Sequence, residues 1–382
     1  MRWIVALVLV GVLVVGVAWA LRPTQPETVQ ARLAVAGALQ APSDAGYARA
    51  VAPREFTFPQ DNGPHPEFRT EWWYYTGNLE SDKGERLGYQ FTIFRQALVP
   101  ETPERSSDWA TRQVYMAHFA VTRAPDGFTS RERFSRGAAG LAGAQADPYR
   151  VWVETWEAAD AGPGLTRLRA ADGPIAIDLT LQDGKPVVLQ GNAGLSQKSD
   201  EPGNASYYYS RTRMPTQGTV TFNGQTYSVT GASWFDREFG TSALGPNVVG
   251  WDWFALQLDD GRDMMYYQLR RNDGTVEPVS SGTLVASDGT SRRLSRDEVQ
   301  VETLATWKSP RTGAVYPAKW RVRVPGENIA LEITPVIADQ ELDVSFAYWE
   351  GAVNVAGSAT GRGYIEMTGY AAAKNNQDRV QR

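Results

Sequence analysis

Residues 71–79 read EWWYYTGNL, and this stretch decides the fold. Aromatic side chains favour a strand, and the Asp and Gly that follow at 82–84 favour a turn. Side chains alternate along a strand, so Glu71, Trp73 and Tyr75 share one face while the even-numbered residues share the other. In a barrel, one of these faces points into the lumen.

The body of the chain predicts many more short strands. Residues 219–222 and 225–230 flank Asn223-Gly224, the pair that a type I′ hairpin turn requires. No convincing helix of ten residues or more is predicted between residues 56 and 370. Evenly spaced short strands indicate an all-β barrel or sandwich. The other predicted strands lie near residues 174–182, 283–286, 320–324, 329–333 and 364–369.

A repeated sequence motif indicates two modules. Residues 72–95 and 251–270 each read as an aromatic strand, an Asp/Gly turn, and a strand carrying Tyr-Gln or Tyr-Tyr-Gln before an Arg. A repeat at this distance favours two copies of one barrel module, the alternative being chance similarity between two aromatic hairpins. We expect an N-terminal domain over residues 54–240 and a C-terminal domain over residues 241–375.

The composition excludes several classes of protein. A net charge of −5 over 382 residues argues against a nucleic-acid partner, whose phosphates require a basic surface. The chain has no cysteine and only two histidines, so disulfides, thiolate sites and His-rich metal sites are not expected. Its 13 Trp, 16 Tyr and 13 Phe suit sites for apolar or planar ligands.

The N-terminus predicts export. Arg2 precedes an uncharged apolar run over residues 3–21, and Ala18-Trp19-Ala20 suits a signal peptidase. Residues 1–20 are therefore predicted to be a signal peptide or an uncleaved membrane anchor, and residues 21–53 a linker. Both alternatives place the body outside the cytoplasm, periplasmic or secreted, or tethered to the inner membrane by residues 3–21.

Two isolated titratable side chains are candidates for proton transfer. Glu71 shares a strand face with Trp73 and Tyr75, where desolvation would raise the pKa of its carboxyl and make it a general acid. The alternative is a structural ion pair with Arg69 or Arg95. His118 lies in the strand 115–122 and is either an acid/base group facing the lumen or a hydrogen-bonded core residue.

The densest charged motif is SWFDREFG at residues 233–240, interpreted as lying just after a strand, at the junction of the two modules. Asp236 and Glu238 are two residues apart and share a face in extended chain, so their repulsion would raise one pKa. In the alternative interpretation, Arg237 satisfies carboxylates and carbonyls at an inter-domain corner. The two interpretations are compatible.

These motifs resemble those of a known family. Residues 65–79 (HPEFRTEWWYYTGNL), 233–240 and 250–253 (GWDW) are similar to the secreted AttH-like proteins, which belong with the carotenoid 1,2-hydratase (hydroxyneurosporene synthase) family. The resemblance spans residues 56–370. It implies two consecutive lipocalin-like antiparallel barrels with a ligand cavity, often exported and often encoded beside an ABC-transporter permease. Carotenoid members hydrate a terminal alkene, and fungal relatives shape polyene cyclisations.

Hydration of an alkene needs a proton donor and rings that stabilise a carbocation, with no metal or cofactor. We expect Asp236 to donate the proton, assisted by His118, Glu71 or Glu238. The side chains expected to bind substrate are Trp73, Tyr75, Gln90, Trp253 and Tyr267.

The sequence is compatible with two functions. One is a hydratase or lyase acting on a small apolar or polyene ligand. The other is a non-catalytic carrier of a lipid or other apolar molecule, associated with an ABC-transporter permease and, if the N-terminal segment is uncleaved, with the membrane.

Overall fold

The computed structural model describes residues 45–101, 107–125, 127–241, 244–245 and 247–371. The predicted export segment at residues 1–20 and most of the predicted linker lie outside these ranges. Among the described residues, no helix has the length and apolar character needed to cross a bilayer. The described chain is all-β, as predicted, and forms two antiparallel sheets.

The first sheet contains thirteen strands. They are β1 (Thr70–Ser81), β2 (Arg86–Ala97), β3 (Gln113–Arg123), β4 (Gly127–Arg136), β5 (Ala142–Ala146), β6 (Tyr149–Val153), β7 (Trp156–Asp160), β8 (Leu165–Asp172), β9 (Ile175–Gln182), β10 (Val188–Leu189), β11 (Leu195–Gln197), β12 (Ala205–Phe222) and β13 (Gln225–Gly240). They run in the order β4-β3-β2-β1-β13-β12-β9-β8-β7-β6-β5, with β10 and β11 on β12. Because β5 and β6 come against β3 and β4, the sheet is a nearly closed barrel.

The second sheet contains nine strands and forms a half-barrel. They are β14 (Val248–Leu258), β15 (Asp263–Arg271), β16 (Ser281–Val285), β17 (Ser291–Ser295), β18 (Gln300–Lys308), β19 (Val315–Val324), β20 (Ile329–Pro335), β21 (Trp349–Gly357) and β22 (Gly361–Met367). Their order is β17-β16-β15-β14-β22-β21-β20-β19-β18. The helical turns described are the 3₁₀ segments Gln60–Asn62, Arg296–Glu298 and Pro325–Glu327.

The predicted hairpin and the repeated sequence motif are both confirmed. Asn223 and Gly224 join β12 to β13 with φ of +50° and +79°, the left-handed values that a type I′ turn needs. The two aromatic hairpins are β1–β2 and β14–β15. Each hairpin occupies the same position in its sheet. The first strand of each also pairs with the strand that comes last along the chain in that sheet, which is β13 for β1 and β22 for β14.

Three large apolar clusters organise the interior. One fills the first barrel and includes Trp73 and Tyr75, and a second lies within the half-barrel around Trp320. The third lies between the two sheets and includes Tyr74 and Trp253. The alternation predicted for β1 therefore sends its odd-numbered side chains into the barrel and its even-numbered ones towards the second sheet.

One prediction about position is wrong. The motif at residues 233–240 does not follow a strand; it is the second half of β13, paired on both sides with β1 and β12. The charged residues made this segment resemble a surface loop in the sequence. It is a strand buried on both faces, and each of its buried charges has a partner in the folded chain. Trp234, Asp236 and Glu238 face the second sheet, while Arg237 faces the barrel interior.

Candidate functional site

The outer face of the first barrel carries a row of polar side chains. Strand register places Asp236, Tyr74, Thr92, His118 and Glu132 side by side on β13, β1, β2, β3 and β4. Directly opposed residues in antiparallel strands have their Cβ atoms about 5 Å apart. The row is therefore continuous across five strands.

The second sheet presents a matching row. Tyr267, Trp253, Glu366 and Glu350 are cross-strand neighbours on β15, β14, β22 and β21. Two carboxyl groups thus lie directly opposite each other on the last two strands. Beside them in the same layer are aromatic rings.

The two rows meet in one buried layer, which we call the inter-sheet site. The Tyr74 ring packs edge-on against Trp253 with centroids 5.1 Å apart. Trp253 Nε1 donates to the Tyr208 hydroxyl at 3.1 Å, and His118 Nδ1 lies 2.8 Å from the Tyr348 hydroxyl. The inter-sheet site is defined here by the carboxyl groups of Asp236, Glu238, Glu350 and Glu366 together with Tyr74, Tyr208, Trp253, Tyr348, His118 and Lys198.

Asp236 has the environment expected of a proton donor. Its carboxyl is 3% exposed and accepts hydrogen bonds from Ser210 Oγ (2.5 Å), Tyr208 Oη (2.6 Å) and Trp234 Nε1 (2.7 Å). Burial raises the pKa of Asp236 to about 7, the three hydrogen bonds oppose that rise, and the charge of Glu238 adds to it. Both protonation states are therefore populated near neutral pH.

Glu350 and Glu366 form a buried carboxyl pair. Neither oxygen of Glu350 accepts a hydrogen bond from the part of the chain that the structure describes. Burial raises the pKa of Glu350 well above its usual value and the charge of Glu366 adds to this, although the nearby Tyr74 and Tyr348 hydroxyls act in the opposite direction. Burial also raises the pKa of Glu366 to about 8, despite a hydrogen bond from Trp251 Nε1 at 2.9 Å.

Glu238 and Lys198 neutralise each other at the other end of the layer. The Lys198 ammonium lies 2.7 Å from Glu238 and 5.0 Å from the centre of the Tyr267 ring. Burial works against the lysine charge, but Glu238 prevails and the pKa of Lys198 is raised. Glu238 thus lies beside Asp236 on the same face, as predicted, and its negative charge is held in place by the ion pair with Lys198.

His118 is fully buried and bridges the two sheets. Its Nδ1 is 2.8 Å from the Tyr348 hydroxyl, and its Nε2 is 3.0 Å from Glu132. Burial lowers the pKa of His118, although Glu132 opposes the shift. The imidazole is therefore neutral near pH 7, with one nitrogen protonated and the other able to accept.

The expected raised pKa of Glu71 is wrong. Arg95 and Arg237 both bind its carboxylate inside the first barrel, and the backbone N–H of His65 donates to it at 3.0 Å. Burial alone would raise the pKa of Glu71, but the two guanidinium charges outweigh burial and hold it well below the usual range. The structural alternative, with Arg95 as partner, is the one observed.

The predicted ligand-contacting side chains separate into two groups. Trp73 and Tyr75 are packed in the barrel core, Trp73 beneath the Arg237 guanidinium at 3.9 Å and Tyr75 stacked on Phe235 at 4.4 Å. They lie on the opposite face of the sheet from Asp236. The residues on the inter-sheet side are Gln90, Trp253 and Tyr267.

Sequence reasoning missed several members of the site. Glu350 follows Tyr348-Trp349, and Glu366 follows Tyr364-Ile365, and each is the one carboxyl-bearing residue of its strand. A single carboxyl-bearing residue in such a strand is the sequence signal that could have marked Glu350 and Glu366 as candidates. Pairing of β21 with β22 makes it a site, because the two glutamates then face each other.

Apolar side chains continue the outer face beyond the polar row. The next row consists of Trp72, Phe94, Met116 and Phe134, which are partly or fully exposed. One row further, a surface pocket of 480 Å³ is lined by Val114 and Trp109 among others. From His118 to Val114 along β3 is about 13 Å at 3.4 Å per residue.

Comparison with known proteins identifies the family. A family model described as AttH-like matches residues 49–370. This chain belongs to the AttH-like family. The crystal structure of a putative AttH from Nitrosomonas europaea is 36% identical, with a TM-score of 0.77 over 85% of this AttH-like chain and 99% of its own.

A second solved structure shares the fold at much lower identity. Kievitone hydratase from Nectria haematococca is 15% identical, with a TM-score of 0.63 over 84% of this chain and 95% of its own. At that identity, the likeness establishes the shared AttH-like architecture alone. No curated protein matches the sequence significantly.

Proposed function

We propose that this AttH-like protein is a cofactor-free hydratase or lyase that acts on an elongated apolar ligand bearing an alkene, with Asp236 as the acid. The observation that carries the proposal is the carboxyl of Asp236, buried among rings, fixed by three neutral donors and poised with a pKa of about 7. A catalytic acid works best when its pKa lies near the working pH. The fold shared with kievitone hydratase agrees with this chemistry.

In the proposed step, Asp236 alone gives the proton and takes it back, so no other side chain is needed to balance the reaction. Protonated Asp236 gives its proton to one alkene carbon and becomes a carboxylate, leaving a carbocation on the other carbon. Water adds to the cation and its surplus proton returns to Asp236. The face of the Trp253 ring and the carboxylate itself stabilise the cation.

The apolar rows beyond the site suggest the shape of the ligand. An extended chain running from the inter-sheet site over Met116 and Phe134 would reach the pocket at Val114, about 13 Å along β3. A polyene or unsaturated acyl chain has this length and character. A compact polar metabolite does not.

Replacing the acid tests the proposal. Asp236→Asn keeps the size and planar shape of the side chain but cannot donate the same proton, so we expect hydration to fall by about 100-fold or more, with ligand binding retained. Mass spectrometry would follow the gain of one water by acyclic polyenes and unsaturated lipids. The matched control is Asp178→Asn, an exposed aspartate paired with Arg167. Turnover by Asp236→Asn at the wild-type rate would overturn the proposal.

A binding protein without chemistry is the second candidate, favoured by the exposed apolar row. In that case Asp236→Asn changes nothing, whereas Trp253→Ala or Phe134→Ser weakens retention of a bound lipid. Extraction of the natively purified protein and mass spectrometry of the extract distinguish the two functions: an unmodified apolar molecule in both wild type and Asp236→Asn supports the carrier. Recovery of no apolar molecule, with no binding across the lipid and polyene panel, contradicts it.

The location of the protein is part of the same proposal. The uncharged run at residues 3–21 directs the body out of the cytoplasm, cleaved or retained as a tether, and an ABC-transporter permease is the proposed partner. Fusing a periplasm-dependent reporter enzyme to the C-terminus tests this, since reporter activity requires export. Loss of activity on deleting residues 3–21 is the expected result, and an active reporter without that run would contradict it.

A further inference from the structure

A line of hydrogen-bonding groups leads from the inter-sheet site to solvent. The Tyr348 hydroxyl lies 2.8 Å from His118 Nδ1, and His118 Nε2 lies 3.0 Å from Glu132. The Glu132 side chain is 23% exposed and accepts a hydrogen bond from the backbone N–H of Ser345. The inner groups are buried, so this line connects a buried layer to the surface.

The inner end of the line is Glu350. Glu350 is 1% exposed and lies beside the Tyr74 and Tyr348 hydroxyls, but neither of its oxygens accepts a hydrogen bond of ordinary geometry from the described residues. An unpartnered buried carboxylate would be costly, whereas a protonated carboxyl carries no charge. Glu366 faces it directly across β21 and β22. Two buried carboxyls that face each other on paired strands do not both ionise readily, so one proton is retained between them.

Among the residues that the structure describes, the groups around this pair supply no permanent counter-charge. Tyr74 on β1, Tyr364 on β22 and Tyr348 face Glu350, and Trp251 on β14 faces Glu366. Asp236 and Glu238 on β13 add negative charge near Glu366. Lys198 is held by Glu238 at 2.7 Å, and His118 is neutral.

We propose that Glu350 and Glu366 hold one shared proton and exchange it with solvent through Tyr348, His118 and Glu132. In the inward direction, Glu132 first takes a proton from solvent and gives it to Nε2 of His118, and Nδ1 gives its proton to the Tyr348 oxygen. Tyr348 gives its own hydroxyl proton to Glu350, through a contact that must shorten as transfer occurs. Each relay group gains one proton and loses one, so the net change is one proton moved from solvent to the pair.

This inference deepens the proposed function and rests on it for its purpose. A hydratase that cycles one proton on Asp236 must hold that proton in a buried layer. The carboxyl pair is a second proton store in the same layer, and the relay refills it. Glu350 and Glu366 are thereby proton-holding groups, and Tyr348 and His118 are the proton-carrying groups between this pair and Glu132.

Infrared spectroscopy of the full-length protein tests the relay without knowledge of the substrate. A carboxylic-acid C=O band near neutral pH that disappears in Glu350→Gln would assign the stored proton. On transfer to D₂O that band shifts, and its rate of shift reports exchange. We expect Tyr348→Phe and His118→Gln to slow the shift by about tenfold or more, because each removes a bridging proton carrier.

The control is Tyr364→Phe, which removes another buried tyrosine hydroxyl beside Glu350 but lies off the relay. It is expected to exchange at the wild-type rate. If Tyr348→Phe fails to fold, Glu132→Gln interrupts the exposed end instead. Either no band assignable to Glu350, or equal rates in Tyr348→Phe and Tyr364→Phe, overturns the relay. Asp236→Asn removes its own carboxylic-acid band and the charge that it adds near Glu366, so it is assayed by hydration alone. The relay is assayed by the band lost in Glu350→Gln, so failure of the relay and failure of the acid role are separate results.

Discussion

Two buried carboxyl groups on opposite faces of the first sheet illustrate how environment sets chemistry. Glu71 points into the barrel and meets two guanidinium groups, which hold its pKa well below the usual range. Asp236, on the neighbouring strand, points outward and meets only neutral donors, and burial raises its pKa to about 7. The sequence predicts both residues to be acids. Only Asp236 has surroundings that let it hold a proton near neutral pH.

Glu71 is expected to be a stability residue. Glu71→Gln leaves the Arg95 and Arg237 charges buried without their carboxylate, so we expect a loss of about 3–5 kcal/mol in the free energy of unfolding. Urea unfolding measures this. The control Glu302→Gln removes one exposed partner of Arg321 and should change stability little. Similar midpoints for the two variants would contradict the structural role.

At the scale of elements, strand β13 connects the barrel interior with the inter-sheet site. Its hairpin start was predictable because Asn-Gly has a local conformational preference. Its second half was not, because three charged residues in eight look like a surface segment. They are buried only because β1 and β12 flank the strand and supply partners on both faces.

The turn at the start of β13 gives an element-scale prediction. Gly224 has φ of +79°, and no atom lies within 4 Å of the position that a Cβ would occupy, so Gly224→Ala adds left-handed strain without a clash. We expect a cost of about 1–2 kcal/mol. Gly326 also has open space but no positive φ, and Gly326→Ala is the matched control, expected to be neutral or slightly stabilising. Equal unfolding midpoints would show that the turn imposes no strain.

At the scale of the whole molecule, the inter-sheet site makes the stability of the folded state depend on pH. Asp236 and Glu366 have pKa values raised to about 7 and about 8, so the folded state binds their protons more tightly than the unfolded chain does. The stability they provide is complete below about pH 4 and is lost as pH rises through 7 to 8. Glu71 has the opposite sign, and its contribution is lost as pH falls below its usual range.

We therefore expect the free energy of unfolding to fall between about pH 5 and pH 8. A rise in pKa from 3.8 to about 7 corresponds to roughly 4 kcal/mol for Asp236. Thermal unfolding across this range measures the slope, and Asp236→Asn and Glu366→Gln should flatten it. Asp178→Asn, at an exposed position, should not. A wild-type stability that rises over this range would contradict the protonated layer.

The sequence by itself determined what depends on near neighbours in the chain. Alternation of side chains defined the two faces of β1, Asn223-Gly224 defined the hairpin, and the repeated aromatic motif indicated two copies of one barrel module, which are a nearly closed barrel and a half-barrel in the structure. Spacing also put Asp236 and Glu238 on one face. These features follow from backbone geometry, which has a fixed period and needs no knowledge of distant contacts.

Only the tertiary structure decided which face holds the site. Burial of a strand face does not reveal whether it meets a barrel core or another sheet, and Glu71 and Asp236 are similarly acidic as free side chains. The pKa of each is set by groups brought together from distant parts of the chain: the Arg95 and Arg237 charges for Glu71, and burial among neutral donors beside Glu238 for Asp236. Glu350 and Glu366 became a pair only when β21 met β22, because a cross-strand contact is a property of register and not of sequence spacing.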